Sequence, residues 1–133
     1  VSAIEGRGLE GDRYATGKGA YPTERNHVTF IALEAIEAAN RQLPQSFVFA
    51  ETRRNIVTQG VDLNDLVGRD FSVGRARFRG VKLCHPCTRP AIVGGRGSQQ
   101  GELFKAAFQN RGGLNAEVLT SGVVRVDDCI IPD

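Results

Sequence analysis

The chain has 133 residues, enough for one domain with a real core, and its 41% hydrophobic and 24% charged content is ordinary for a globular protein. A net charge of +2 leaves no basic footprint for nucleic acid, and no apolar run approaches the roughly 20 residues that span a bilayer. The odd set of 3 cysteines is unlike the paired staples of secreted domains, and the start Val1-Ser2-Ala3-Ile4-Glu5 has no signal-peptide pattern, so a cytoplasmic protein with reduced thiols is expected.

Residues 1–4 read as a short strand. Gly6-Arg7-Gly8-Leu9-Glu10-Gly11 follows with the spacing of a dinucleotide fingerprint, but that site needs its last glycine to open a helix. Asp12-Arg13-Tyr14, then Gly17, Gly19 and Pro22, carry no helical period. Residues 6–26 are therefore read as a long ordered loop, a kind of segment that is often functional. Residues 27–31 have strand composition. They pass into 32–43, the clearest helix, with an apolar face through Leu33, Ile36, Ala39 and Leu43 and a stop at Pro44.

Phe47 to Ala50 is apolar and packs beneath a loop. Arg53-Arg54-Asn55 precedes a β-branched strand at Ile56–Thr58, and Gln59-Gly60 turns out of it. Residues 62–68 make a turn or a single helical turn, and 70–74 and Ala76–Leu83 are strands. In the second of these the inward set Ala76, Phe78 changes phase to Val81, Leu83 across Gly80, which marks a bulge. Residues 102–110 form a short helix ended at Gly112-Gly113. Strands at 114–119 and 123–126 are joined at Thr120-Ser121-Gly122, and Asp127-Asp128 turns into a last strand at 129–131. Many short strands and few helices predict one mainly β domain over 1–133, a closed or partly closed β-barrel with two peripheral α-helices. Internal repeats and linkers are absent from the sequence.

The chemistry concentrates in Leu83-Cys84-His85-Pro86-Cys87-Thr88-Arg89-Pro90. A reactive thiol needs a rigid mount, nearby positive charge and solvent access. Here a strand delivers the cysteines to its end, the prolines stiffen the turn, and Arg89 and Arg96 supply the charge. Cys87 is the candidate nucleophile or metal ligand, since both roles need the deprotonated sulfur. An inert buried thiol is the competing account, and the polar, proline-bounded surroundings fit it less well. Cys84 is read as the last inward residue of its strand, with a resolving thiol as the alternative, and Cys129 as core. His85 is read as a loop residue, and His27 opens a strand. Cys84, Cys87, Cys129, His27 and His85 lack the paired spacing of a zinc site. Arg13, Arg53, Arg54 and Arg89 stand beside Asp12, Asn55 and Cys87 at element ends, placed to hold a planar anion bidentately. Asn55 offers a heterocycle edge both a donor and an acceptor, and residues 94–97 offer backbone N–H groups for an anion nest.

Five pieces then occur in a recognisable order: Gly11-Asp12-Arg13, Arg53-Arg54-Asn55-Ile56, Gly60-Val61-Asp62-Leu63, Pro86-Cys87, and Gly112-Gly113-Leu114-Asn115-Ala116-Glu117-Val118. With them the chain resembles, over nearly its whole length, the MOSC family, named for the C-terminal domain of molybdenum cofactor sulfurases. The resemblance implies a mostly β, barrel-like fold. It also implies that Cys87 is the reactive or metal-directed thiol, working with the molybdenum cofactor (molybdopterin), a pterin-dithiolene that carries a phosphate. Asp12, Arg13, Arg53, Arg54, Asn55 and Arg89 are then the residues expected to hold that cofactor. Three functions stay open: sulfur transfer or molybdenum contact at Cys87, molybdenum-dependent reduction of N-hydroxylated bases, and a non-catalytic carrier or interaction module. The first needs a sulfur donor. The second needs an electron-transfer protein, because the chain has no iron–sulfur cysteine set and no credible flavin or nicotinamide motif. One departure stands out: the family's Gly-Asp pair before the last strand is Asp127-Asp128 here, which affects a turn.

Overall fold

A computed structural model describes residues 1–10, 28–44, 46–84, 95 and 97–133. In chain order they form β1 (Ser2–Ile4), β2 (Gly8–Leu9), β3 (Val28–Ala32), α1 (Leu33–Asn40), β4 (Ile56–Thr58), β5 (Asp70–Val73), β6 (Ala76–Leu83), α2 (Gly97–Ala107), β7 (Leu114–Thr120), β8 (Gly122–Val123) and β9 (Ile130–Pro132). Short 3-10 turns stand at Phe49–Thr52 and Leu63–Leu66.

Alternation along β6 sets the sheet. Ala76, Phe78 and Gly80 point inward while Arg77 and Arg79 face out. The two-residue loop Gly74-Arg75, with Gly74 at φ 60°, pairs Val73 with Ala76 and Phe71 with Phe78. On its other side β6 pairs antiparallel with β7, with register shifts between Arg77 and Phe78 and between Gly80 and Lys82. The second shift lies at the glycine where the sequence changes phase. Its cause is a backbone approach: a Cβ on Gly80 would stand 2.0 Å from the Leu66 carbonyl oxygen. Two hydrogen bonds hold that approach, Gly68 N to Gly80 O at 2.9 Å and Gly80 N to Arg69 O at 3.0 Å.

Among the described residues the main sheet runs β4-β3-β7-β6-β5-β9, and a smaller one runs β2-β1-β8. The main sheet curls strongly into a partly closed barrel, so the mainly β fold, with two helices among the described residues, is as expected. Its β3–β4 pair is parallel, joined through α1, in the manner of a strand–helix–strand crossover.

Successive residues of β3 face two different cores. Val28 and Phe30 enter a cluster with Leu63, Leu66, Phe71, Phe78, Leu114 and Val118. Phe30, Phe71 and Phe78 form its centre, with ring centroids 5.4 to 5.6 Å apart. Ile31 faces the other way, into Ile36, Ala39, Phe47, Phe104 and Phe108. Burial of each phenylalanine is worth about 1.5–3 kcal/mol, so each cluster is a substantial body by itself.

The helices differ from their predicted bounds for local reasons. α1 stops at Asn40, short of Leu43, because the Asn40 amide is turned onto the Phe47 backbone. Its Nδ2 donates to Phe47 O and its Oδ1 accepts from Phe47 N, both at 2.8 Å. Leu43 still packs on the second core. α2 starts at Gly97, ahead of the expected 102, since Phe104, Ala107 and Phe108 dock on that core and hold a glycine-rich first turn that has little propensity of its own. The strand expected at 123–126 shrinks to Gly122–Val123, which pairs with β1. Cys129, expected in the core, is exposed: β9 is an edge strand paired with β5, and its Ile130 is the residue packed on the core.

Candidate functional site

Cys84 directly follows β6, is only 8% exposed, and donates its N–H to Gly113 O at 2.7 Å. Burial pushes the Cys84 thiol up, against smaller downward effects of Arg54 and Lys82. A thiol so placed is protonated at neutral pH, the state of a structural cysteine and not of a nucleophile. Gly113 itself sits at φ 102°, and a Cβ there would lie 2.0 Å from Phe30 O. Only glycine fits between the end of β6 and β3.

The neighbouring carbonyl is held by a charge. Arg54 Nε donates to Gly112 O at 2.7 Å, and its Nη1 reaches Thr52 O at 3.5 Å. Arg54, predicted to hold an anion, therefore has part of its fork turned onto the backbone. Asn55 is also built into the fold. Its Oδ1 accepts from Thr29 N at 2.9 Å and from Thr29 Oγ1 at 3.0 Å, and its own N–H donates to Thr29 Oγ1 at 3.0 Å. These bonds set β4 beside β3, and they engage the acceptor end of the amide that a heterocycle would have used. Arg53 differs: it is exposed, sits in the left-handed region at φ 61°, and its guanidinium meets no hydrogen-bonding or acidic partner among the described residues. Asp12, Arg13, Cys87 and Arg89 lie outside the described residues, as do His27, His85, Gly94 and Arg96.

Sequence reasoning did not find a cleft of about 470 Å³ between α1, the 60–64 turn and residues 110–113. Ala32, Ala35 and Ala38 line it together with Glu34, Asp62 and Arg111. Glu34 Oε2 accepts from Gly60 N at 2.7 Å, and this bond holds the carboxyl below its ordinary range. Gly113 belongs both to the cleft and to the Cys84 anchor. The signal that could have found it is the spacing of small residues on α1 beside the Gly60-Val61-Asp62 motif. Among the described residues, no group of three or more His, Cys, Asp or Glu side chains is placed to hold a metal ion.

A small, mainly β, partly closed barrel with a buried cysteine at the end of its longest described strand, pinned to a paired-glycine turn, is the class that these features define. The chain belongs to the MOSC domain family, whose profile matches residues 17–131. Solved structures show the same fold. The YuaD protein from Bacillus subtilis is 17% identical with a TM-score of 0.80, covering 97% of this chain and 81% of its own. YiiM from Geobacillus stearothermophilus is 19% identical with a TM-score of 0.69, and YiiM from Escherichia coli is 19% identical with a TM-score of 0.63. Each YiiM match covers 81% of this chain and 54% of the YiiM chain, so the protein spans about half of their length. No curated protein sequence matches the chain.

Proposed function

We propose that this MOSC domain binds the molybdenum cofactor and presents Cys87 to it, for sulfur transfer or as a thiolate contact to the metal. The observation that carries this reading is the fixed end of β6. Cys84 is buried and hydrogen-bonded to Gly113, and three residues on comes Cys87, which covalent geometry keeps within about 11 Å of it, Cα to Cα. The described support thus ends at a fixed backbone point, Cys84, from which the sequence continues to Pro86-Cys87.

Arg53 fits the group's phosphate best among the described candidates, since an exposed guanidinium can take two phosphate oxygens at once. Arg13, from a family motif, and Arg89, two residues beyond Cys87 in the sequence, would complete the hold. Arg54 and the Asn55 carbonyl fit it less well, because backbone partners already engage them. When bound, the cofactor would supply a redox metal and dithiolene sulfur, and the chain's residues would bind, orient and shield it. Sulfur transfer requires a sulfur-donor protein.

A catalytic form of the reading, reduction of N-hydroxylated bases, draws on the cleft beside Gly113. Its volume lies in the range of small-ligand pockets, and alanines offer a flat wall to a ring. That form requires an electron-transfer protein.

The test is the molybdenum and pterin content of protein from a molybdate-fed, cofactor-competent host, beside Cys87→Ser. Stoichiometric molybdenum and pterin in the wild type, with molybdenum lost from the variant, is the expected result. Neither species in the wild type, even after adding released cofactor, would overturn the reading.

A further inference from the structure

We infer that Arg54 is a positioning residue: it holds the Gly112-Gly113 turn against the end of β6, and so fixes the point from which the Cys87 segment departs. The inference rests on the reading of Cys87 as the functional thiol.

Three contacts form a chain. Arg54 Nε donates to Gly112 O at 2.7 Å, Gly113 follows covalently, and Gly113 O accepts the Cys84 N–H at 2.7 Å. Arg54 also reaches Thr52 O at 3.5 Å, so one guanidinium ties its own turn to a backbone carbonyl 58 residues further along the chain. Gly112 and Gly113 are buried, and a carbonyl left there without its donor has no ready substitute in water. The turn also has little room to relax on its far side, where Phe30 O already stands within Cβ distance of Gly113. Release of the arginine is therefore expected to loosen the neighbouring Gly113 O to Cys84 N bond. Lysine is a poor replacement, because its single ammonium sits beyond the position of Nε and lacks the planar fork.

Hydrogen exchange of the Cys84 amide in ligand-free protein decides this, with Arg54→Ala and Arg54→Lys beside the wild type. The expected result in Arg54→Ala is exchange at least tenfold faster at Cys84, with the β5–β6 hairpin amides within about twofold. Arg54→Lys, which keeps the charge and guards against a failure of the alanine variant to fold, should also exchange faster at Cys84. Unchanged exchange at Cys84 in a folded variant would overturn the inference. So would acceleration spread evenly over the sheet, which is the mark of general destabilisation. Titration with inorganic phosphate separates the rival role: phosphate protection lost in Arg54→Ala, with Cys84 exchange unaltered, would make Arg54 an anion ligand instead. Because the exchange measurement needs no cofactor, failure of the cofactor reading would show separately, as absent molybdenum and pterin in the wild type.

Discussion

Asp70 and Arg79 face each other across β5 and β6 and join through two hydrogen bonds, Nε to Oδ1 at 2.8 Å and Nη2 to Oδ2 at 3.3 Å. The Arg79 hydrogen bonds hold the Asp70 carboxyl below its ordinary range, against a smaller upward effect of burial. A carboxyl lowered on folding stabilises the protein above its unfolded pKa of about 3.9, and the benefit is lost as pH falls through the folded value. Urea midpoints of the wild type and Asp70→Asn should therefore differ above about pH 4 and converge below it. A constant gap down to pH 2 would contradict the assignment. Because the pair is partly exposed, 1 M salt should narrow the gap.

Gly80→Ala tests the bulge. The added methyl would meet the Leu66 carbonyl at 2.0 Å, a backbone atom that cannot swing aside. Overpacking of this kind costs about 1–3 kcal/mol, and the upper end is expected here. The midpoint of urea unfolding should drop with an unchanged slope. A loss below about 0.5 kcal/mol would show that the 3-10 turn yields freely.

Asp127 lies in the left-handed region at φ 74°, where the family pattern places glycine. Asp127→Gly removes a conformational cost of roughly 1–2 kcal/mol, smaller for aspartate than for most residues, and adds glycine's entropy cost of about 0.5–1 kcal/mol. A net gain below about 1 kcal/mol is expected, whereas Asp127→Val should lose stability. Thermal unfolding of the two variants gives both signs in one experiment.

The two described thiols should respond oppositely to alkylation. At pH 8 in native protein, exposed Cys129 should be modified and buried Cys84 spared, and urea should expose both. Since burial raises the Cys84 thiol, its contribution to stability is whole below the unfolded pKa of about 8.5 and declines as pH rises toward the folded value. Wild-type stability should thus fall more steeply above pH 8.5 or so than that of Cys84→Ala. Equal slopes would place Cys84 in a wetter setting.

Much of the fold was legible because local chemistry and tertiary structure agree. The phase change at Gly80 and the turn at Asp127-Asp128 each follow from residue types that allow little else. Gly97 to Gly101 misleads for the opposite reason: its intrinsic preference is for a loop, and contacts made by Phe104 and Ala107 later in the helix, and by Phe108 just past it, override it. Cys129 misleads because apolar neighbours at Ile130 and Ile131 resemble a buried strand, while edge or centre is decided by pairing partners far away in sequence. At the site, Arg53 and Arg54 are alike as residue types. A left-handed turn leaves one exposed and sends the other to Gly112, and neighbouring letters cannot express that division.

The two-sided packing of β3 makes one strand the shared wall of two apolar clusters. Val28 and Phe30 serve the barrel cluster, and Ile31 serves the cluster that α1 and α2 complete. Local opening of the second cluster, the one with fewer residues, would leave the barrel cluster packed on the other face of β3.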